Sequence, residues 1–285
     1  MPELPEVETT RAGIESGVVG QPLTDFKIHN AALRWPVELP THLRGEVVHA
    51  LVRRGKYIVF LLSPGAIILH LGMSGSLRWA TDELRTHDHV ELVFGSQTLR
   101  LNDPRRFGCI RYQPGDDYLA HPLLAHLGVE PLGNEFHGNY LFNASRKKKV
   151  AVKNFIMDSK IVVGVGNIYA AESLFMAGIR PGIAAGSVSA AGYENLTAAI
   201  KQVLADAVRQ GGTTLRDFSG SDGTPGYFKQ YLYVYGRDGE PCRVCQDTLK
   251  FKSLGNRSTV YCSRCQTNRG HVALGEAGRI PSLRT

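Results

Sequence analysis

The chain has 285 residues, 33 Lys and Arg against 26 Asp and Glu (formal net charge +7), and a hydrophobic share of 43%. At ~150 residues per domain this length favours about two domains, and the apolar share is enough for real cores, which excludes general disorder. The amino terminus, Met1-Pro2-Glu3-Leu4-Pro5-Glu6, is acidic without the apolar stretch of a secretory signal, and no apolar run nears the ~20 residues that span a bilayer, so a cytoplasmic protein with no membrane partner is expected.

In chain order, Leu4, Val7, Arg11 and Ile14 fall at helical spacing, with Pro5 suited to a first turn and Gly20 beyond the end. The period then changes to two. Segments 25–29, 46–52, 56–62, 66–71, 89–94 and 98–102 are rich in Val, Ile, Leu, Tyr and Phe and read as strands, with Gly95-Ser96-Gln97 as a hairpin turn. Short strands broken by regular turns predict a β-sandwich or barrel, and the 31 glycines agree with many turns. Residues 114–139 read as a linker. Helices are predicted around 150–157, 168–176 and 193–209, the last with Leu196, Ile200, Val203, Leu204 and Ala207 on one face. A Gly/Ser/Thr-rich loop follows at 211–226, then a Cys-rich module from about Tyr233 to Thr267 and a tail, 268–285, with little periodicity.

Several segments carry chemistry. Removal of Met1 is expected before proline and leaves Pro2 with a free secondary amine. An α-amino group, with a reference pKa of about 7.7–8.0, is available as a nucleophile near neutral pH. A secondary amine condensing with an aldehyde-level carbon gives a permanently cationic iminium, an electron sink for elimination. Glu3 beside it can shuttle protons, although Pro and Glu are also ordinary residues at a helix start. His70 to Leu77 is a strand running into a Gly-flanked tip, and Asp103-Pro104-Arg105-Arg106-Phe107-Gly108 is a turn presenting two Arg and a ring. Met73, Arg105 and Phe107 suit a wedge that fills the gap left by a base leaving a duplex; packing in the core is the other reading. Arg146-Lys147-Lys148-Lys149 is a solvated basic face or a phosphate contact. Gly164-Val165-Gly166-Asn167 places Asn167 to cap the helix that follows, where backbone amides can bind phosphate.

Cys242-x2-Cys245-x16-Cys262-x2-Cys265 is the strongest local signal: two CxxC turns joined by a hairpin-length spacer supply the four thiolates of a tetrahedral Zn²⁺. Four thiolates leave no open position, so this site is structural. Its spacer carries Lys250, Lys252 and Arg257, which suits a phosphate backbone, although a zinc ribbon serves protein partners as readily. From Lys201 onward the chain has 13 basic and 7 acidic residues, which leaves both a polyanionic partner and a solvated basic surface open. Cys109, in a strand-like segment, reads as packing.

Taken together, Pro2 to Thr9, Arg53 to Tyr57, His70 to Leu77, His87-Asp88-His89, Asp103 to Gly108 and Val162 to Phe175 resemble the formamidopyrimidine-DNA glycosylases of MutM/Fpg type. Gly211 to Leu215, Ser221 to Phe228, Val234-Tyr235-Gly236 and the four cysteines extend the resemblance to about residue 266. It implies an α+β protein. A catalytic β-sandwich with a flanking helix (1–130) is followed by a helical helix–two-turn–helix domain with a lesion-recognition loop (131–228), then by a four-cysteine zinc finger (233–267), leaving 268–285 as a flexible tail. The implied partner is damaged double-stranded DNA, held by a monomer in the cleft between domains, with one Zn²⁺.

By the same resemblance, Pro2 attacks C1′ and displaces the base, and Glu3 gives and takes protons at the sugar. Lys56 and Arg257 donate protons for β- and δ-elimination. His70, Met73, His87, Arg105, Phe107, Lys149, Asn167 and Tyr235 occupy DNA-contact positions. The implied substrates are oxidised purines, 8-oxoguanine and formamidopyrimidines. The endonuclease VIII-like branch, which prefers oxidised pyrimidines, typically begins Pro-Glu-Gly-Pro, whereas this chain has Pro2-Glu3-Leu4-Pro5. A catalytically silent lesion-binding protein is the further alternative, against which Pro2, Glu3, Lys56 and Arg257 stand intact. His271 to Thr285 has no counterpart in the family.

Overall fold

The computed structural model describes residues 2–80, 83–213 and 232–267. It divides into two compact units, the described residues of Met1–His126 with Ala207–Gln230, and those of Leu127–Asp206 with Tyr231–Thr285. Among the described residues no helix is long and apolar enough to cross a membrane.

The first unit opens with helix α1 (Leu4–Val18) and continues through eight strands: β1 (Leu23–Ile28), β2 (Ala50–Arg54), β3 (Tyr57–Leu62), β4 (Gly65–His70), β5 (Ser76–Trp79), β6 (Asp88–Phe94), β7 (Gln97–Asn102) and β8 (Cys109–Gln113). They form two four-stranded antiparallel sheets, β1-β6-β7-β5 and β2-β3-β4-β8. The sheets pack face to face: Phe60 of β3 stacks on Phe94 of β6, their planes 2° apart. Leu23, Leu51, Ile58, Ile67, Leu92 and Leu101 share the core between them. Helix α1 touches β2, β3 and β5, so it lies against one of the two edge strands of each sheet and inserts Val7, Ile14 and Val18 into the core.

Two hairpins owe their geometry to glycine. Gly95 (φ 58°) opens the two-residue turn between the paired residues Phe94 and Gln97, so Gln97 already belongs to β7. Gly55 (φ 58°) does the same between Arg54 and Tyr57, which puts Lys56 at the apex of the β2–β3 hairpin. Cys109 is buried opposite His70 on β4, and burial pushes its thiol up to about 11, so it packs as a protonated, apolar side chain.

The second unit contains α2 (Gly138–Ser145), α3 (Val152–Ile156), α4 (Asn167–Met176), most of α5 (Ala190–Arg209) and the hairpin of β9 (Lys250–Leu254) with β10 (Arg257–Tyr261). Ala171 and Phe175 of α4 share an apolar cluster with Val234, Leu249, Val260 and three of the cysteines, so the Cys-rich module is packed onto α4. Arg180 Nη2 donates to the Ser263 carbonyl (2.9 Å) and Gln266 Nε2 to that of Ile179 (2.9 Å), which ties the module to the turn after α4.

The structure departs from the sequence reading in detail. The predicted strand at 46–52 begins only at Ala50, because the chain before it is held by an isolated bridge from Val47 to Pro22. Strand β5 and helix α2 were not anticipated. The helix predicted at 150–157 has five residues, and the one predicted from 193 starts at Ala190. The loop at 211–226 beyond Thr213 and the tail at 268–285 lie outside the described residues.

Candidate nucleic-acid interface and active site

In the first unit the candidate nucleophile lies at the start of α1. Pro2 and Glu3 are buried, and Glu3 is the N-cap, in extended conformation (φ −105°). Glu3 and Glu6 form a reciprocal capping box, in which Glu6 Oε2 accepts the Glu3 N–H at 2.9 Å. The other oxygen of Glu6 accepts the Thr213 N–H at 2.8 Å, and a Cβ on Gly212 (φ 80°) would come to 3.0 Å from it. The helix start is therefore fastened to the residues that lead into the 213–226 loop.

A second set of bonds runs from α1 to Lys56. Glu8 accepts from Arg11 Nε and Arg53 Nε, both at 2.9 Å. Arg11 Nη1 also donates to the Leu51 carbonyl (3.1 Å), and Arg53 Nη1 to that of Gly55 (3.2 Å). Glu8 and Arg53 thus link the helix that begins at Pro2 to the turn that presents Lys56.

His70 ends β4, with its ring centroid 4.7 Å from that of Tyr57. Burial, aided by the positive charges of Lys56 and Arg34, pushes its pKa down to about 4. Its Nδ1 accepts the Gly72 N–H at 2.9 Å. The imidazole is therefore neutral at pH 7 and carries its proton on Nε2, a donor suited to a phosphate oxygen.

The two tips read as a wedge form one cluster. Met73 is half-buried outside the sandwich core, and Phe107 is 41% exposed with the Arg105 guanidinium 5.0 Å over its ring. Gly72 (φ 68°) has no room for a side chain, since a Cβ would lie 2.4 Å from the Gly108 nitrogen. Beside them His87 is exposed, with φ 75°. Its neighbour Asp88 is buried and accepts from Arg78 Nη2 (2.7 Å) and the Arg85 N–H (2.9 Å).

In the second unit a different group assembles around the zinc hairpin. Gly255 and Asn256, both at positive φ, make the turn that presents exposed Arg257 as the first residue of β10. Asn167 opens α4, but Gly166 is the N-cap and the Asn167 side chain does not cap the helix as expected from sequence. It reaches across instead, and Nδ2 donates to the Ser258 carbonyl at 3.1 Å. The same carbonyl accepts from buried Lys153 Nζ at 3.0 Å, and Thr259 Oγ1 accepts from it at 2.8 Å. Tyr235 belongs to a segment gripped by Glu172 of α4, whose buried carboxylate accepts the N–H groups of Tyr233, Val234 and Tyr235 at 2.8–3.0 Å. Lys149 stands exposed on the α2–α3 connection. Lys153 and Glu172 were missed from sequence; the one available signal was a lone charge within an apolar helical run.

The sulfurs of Cys242, Cys245, Cys262 and Cys265 all lie within 4.8 Å of one another. The Cys242–Cys265 and Cys245–Cys262 separations are 3.9 and 3.4 Å. Tetrahedral zinc with Zn–S of about 2.3 Å needs sulfurs ~3.8 Å apart, so the donor set fits. The Val244 and Cys265 N–H groups point at Cys242 and Cys262 sulfur, and such donors orient and stabilise thiolate ligands.

These features define a class of protein: a β-sandwich with a capped helix at its amino end, joined to a helical module with a four-cysteine zinc finger. Residues 1–110 match the formamidopyrimidine-DNA glycosylase N-terminal domain, 127–219 the H2TH domain of that family and 239–268 a zinc finger found in FPG and IleRS. A formamidopyrimidine-DNA glycosylase of Marinobacter nauticus is 54% identical over 271 residues, 93% of this chain and all of the relative. Among solved structures, the MutM (Fpg) protein of Thermus thermophilus superposes with a TM-score of 0.85 at 36% identity, covering 93% of this chain and 98% of that one. Lactococcus lactis Fpg bound to DNA containing an abasic site gives 0.85 at 30%, covering 93% and 99%. The chain belongs to the formamidopyrimidine-DNA glycosylase family, DNA-binding glycosylases of base excision repair, and its zinc finger holds one structural zinc ion.

Proposed function

We propose that the chain excises oxidised purines, 8-oxoguanine and formamidopyrimidines, from duplex DNA and then cleaves the strand. The observation that carries this reading is the amino end of α1: Pro2 directly precedes the reciprocal Glu3–Glu6 capping box, which fixes the helix start and keeps Glu3 as its covalent neighbour. The Pro2 nitrogen attacks C1′, the base departs, and the sugar opens to an iminium on the proline, with Glu3 giving and taking the protons. Loss of a C2′ proton expels the 3′-phosphate, with Lys56 as proton donor. A second elimination expels the 5′-phosphate, with Arg257 as donor. The product is a one-nucleotide gap with phosphate at both ends.

Met73 and Phe107 fill the space left by the everted nucleotide, and Arg105 pairs with the orphaned cytosine. His70, His87, Lys149, Asn167 and Tyr235 hold the phosphates and the duplex. The protein acts as a monomer. Borohydride should trap a covalent complex with an 8-oxoguanine·cytosine duplex and far less with a thymine-glycol duplex. Pro2→Gly trapping as well as wild type would remove the nucleophile assignment. Binding with neither trapping nor scission would instead make the protein a silent lesion binder, and preferential trapping by thymine glycol would move it to the pyrimidine branch.

A further inference from the structure

Asp103 is fully buried just after β7, and its polar groups bond to three neighbouring segments. Its Oδ1 accepts from the Ser74 hydroxyl (2.9 Å), next to Met73, and from the Arg105 N–H (3.3 Å). Oδ2 accepts from the Gly108 N–H (2.7 Å), next to Phe107. Its backbone N–H donates to the His87 carbonyl (3.0 Å), and its carbonyl accepts from the buried His89 ring at 2.8 Å. One residue therefore anchors the 72–75 tip, the 104–108 turn and the strained segment at His87. The contact is close: a Cβ on Gly72 would strike the Phe107–Gly108 peptide, and one on Gly108 would come to 2.8 Å from the His70 carbonyl and 3.1 Å from Asp103 Oδ2. Arg106, at φ 57°, is held in the left-handed region between two of these bonds.

We infer that Asp103 is a positioning residue for base extrusion: its carboxylate locks Met73, Arg105 and Phe107 into one preorganised wedge. This rests on the reading of those three side chains as the group that fills the vacated stack. A wedge made of two independent loops must be ordered anew at each encounter with DNA, whereas one pinned at a buried carboxylate enters already formed. Asp103 touches neither the reacting sugar nor the base in this role, so its loss should register at the step that unstacks a base and not at the chemistry that follows.

The test compares two duplexes in the full-length, zinc-loaded protein. One carries 8-oxoguanine opposite cytosine with 2-aminopurine on its 3′ side; the other carries a preformed abasic site. Asp103→Asn keeps the shape but points an amide NH₂ at an N–H or O–H donor. It should slow both the fluorescence rise and base excision by about ten-fold or more, with abasic-site cleavage within about two-fold of wild type. Equal losses on both duplexes would make Asp103 merely structural, and no loss on the lesion would leave the wedge independent of it; either result overturns the proposal. Should Asp103→Asn fail to fold, Ser74→Ala removes one bond of the same anchor and is held to the same contrast, with a smaller expected loss. Met73→Ala and Phe107→Ala separate the premise from the inference. If they leave excision unchanged, the wedge reading itself is lost; if they impair it and Asp103→Asn does not, only the positioning role is.

Discussion

His70 and Glu172 are polar side chains that answer to backbone amides, and each makes a measurable prediction. A folded pKa of about 4 against an ordinary 6.5 means that the unfolded chain takes up a proton before the native one does. The stability that neutral His70 contributes is complete above 6.5 and is lost as the pH falls from 6.5 to about 4. Urea midpoints of wild type should fall across that window by more than those of His70→Gln; parallel curves would mean that His70 titrates normally. Glu172→Gln leaves one oxygen where two accepted three N–H groups and should cost about 2 kcal/mol in urea unfolding, because a buried donor loses its partner. Much of the candidate site was legible from residue type alone: Pro2 behind a removable methionine, the CxxC pairs, the Arg and Phe on a turn. Asp103, Lys153 and Glu172 were not. Their partners lie 29 to 106 residues away in sequence or are main-chain groups, and neither leaves a pattern in the string of side chains.

At the scale of elements, strands were legible wherever both faces are covered, because β3 and β4 are almost unbroken apolar runs. Strand β5 escaped notice because it has four residues and only Leu77 is buried. Helix α2 begins on Gly138, carries Asn139 and Asn143, and is capped by His137, whose Nδ1 accepts the Tyr140 N–H. None of the usual start signals is present. The zinc hairpin shows how tightly an element can be placed: a Cβ at Gly255 would lie 2.3 Å from the Asn154 side chain, at φ 55°. Gly255→Ala should therefore displace the tip that carries Arg257 and cost about 1–2 kcal/mol. Gel analysis of cleaved abasic DNA should then show β-elimination product accumulating over β,δ product, and an unchanged ratio would detach Arg257 from the second elimination.

For the whole molecule, the +7 charge acquires addresses. Part of the C-terminal surplus is offset at its own site, since four thiolates and one Zn²⁺ sum to −2. Lys149→Ala should weaken binding to every duplex sequence alike and reduce the slope of log affinity against log salt by roughly 0.9, as expected for one phosphate contact; an unchanged slope would take Lys149 out of the interface. Chelating the zinc should release the hairpin that Lys153 and Asn167 brace at Ser258 and so weaken DNA binding. Borohydride trapping at saturating DNA should survive chelation, because Pro2 belongs to the other unit. Loss of trapping under saturation would mean that the zinc module is needed for the covalent step.

The bond between Glu6 and Thr213 spans 207 positions and lies within one unit. On the ribosome, the helix start that presents Pro2 emerges among the first residues, yet the amide that completes the Glu6 carboxylate is added only after the whole of 127–206 has been synthesised. Domains fold as units during synthesis, and this one is discontinuous, so its last hydrogen bonds form late. The end that carries the proposed nucleophile is thus among the first segments made and among the last secured, and a nascent chain stalled before Thr213 should lack the second bond to Glu6.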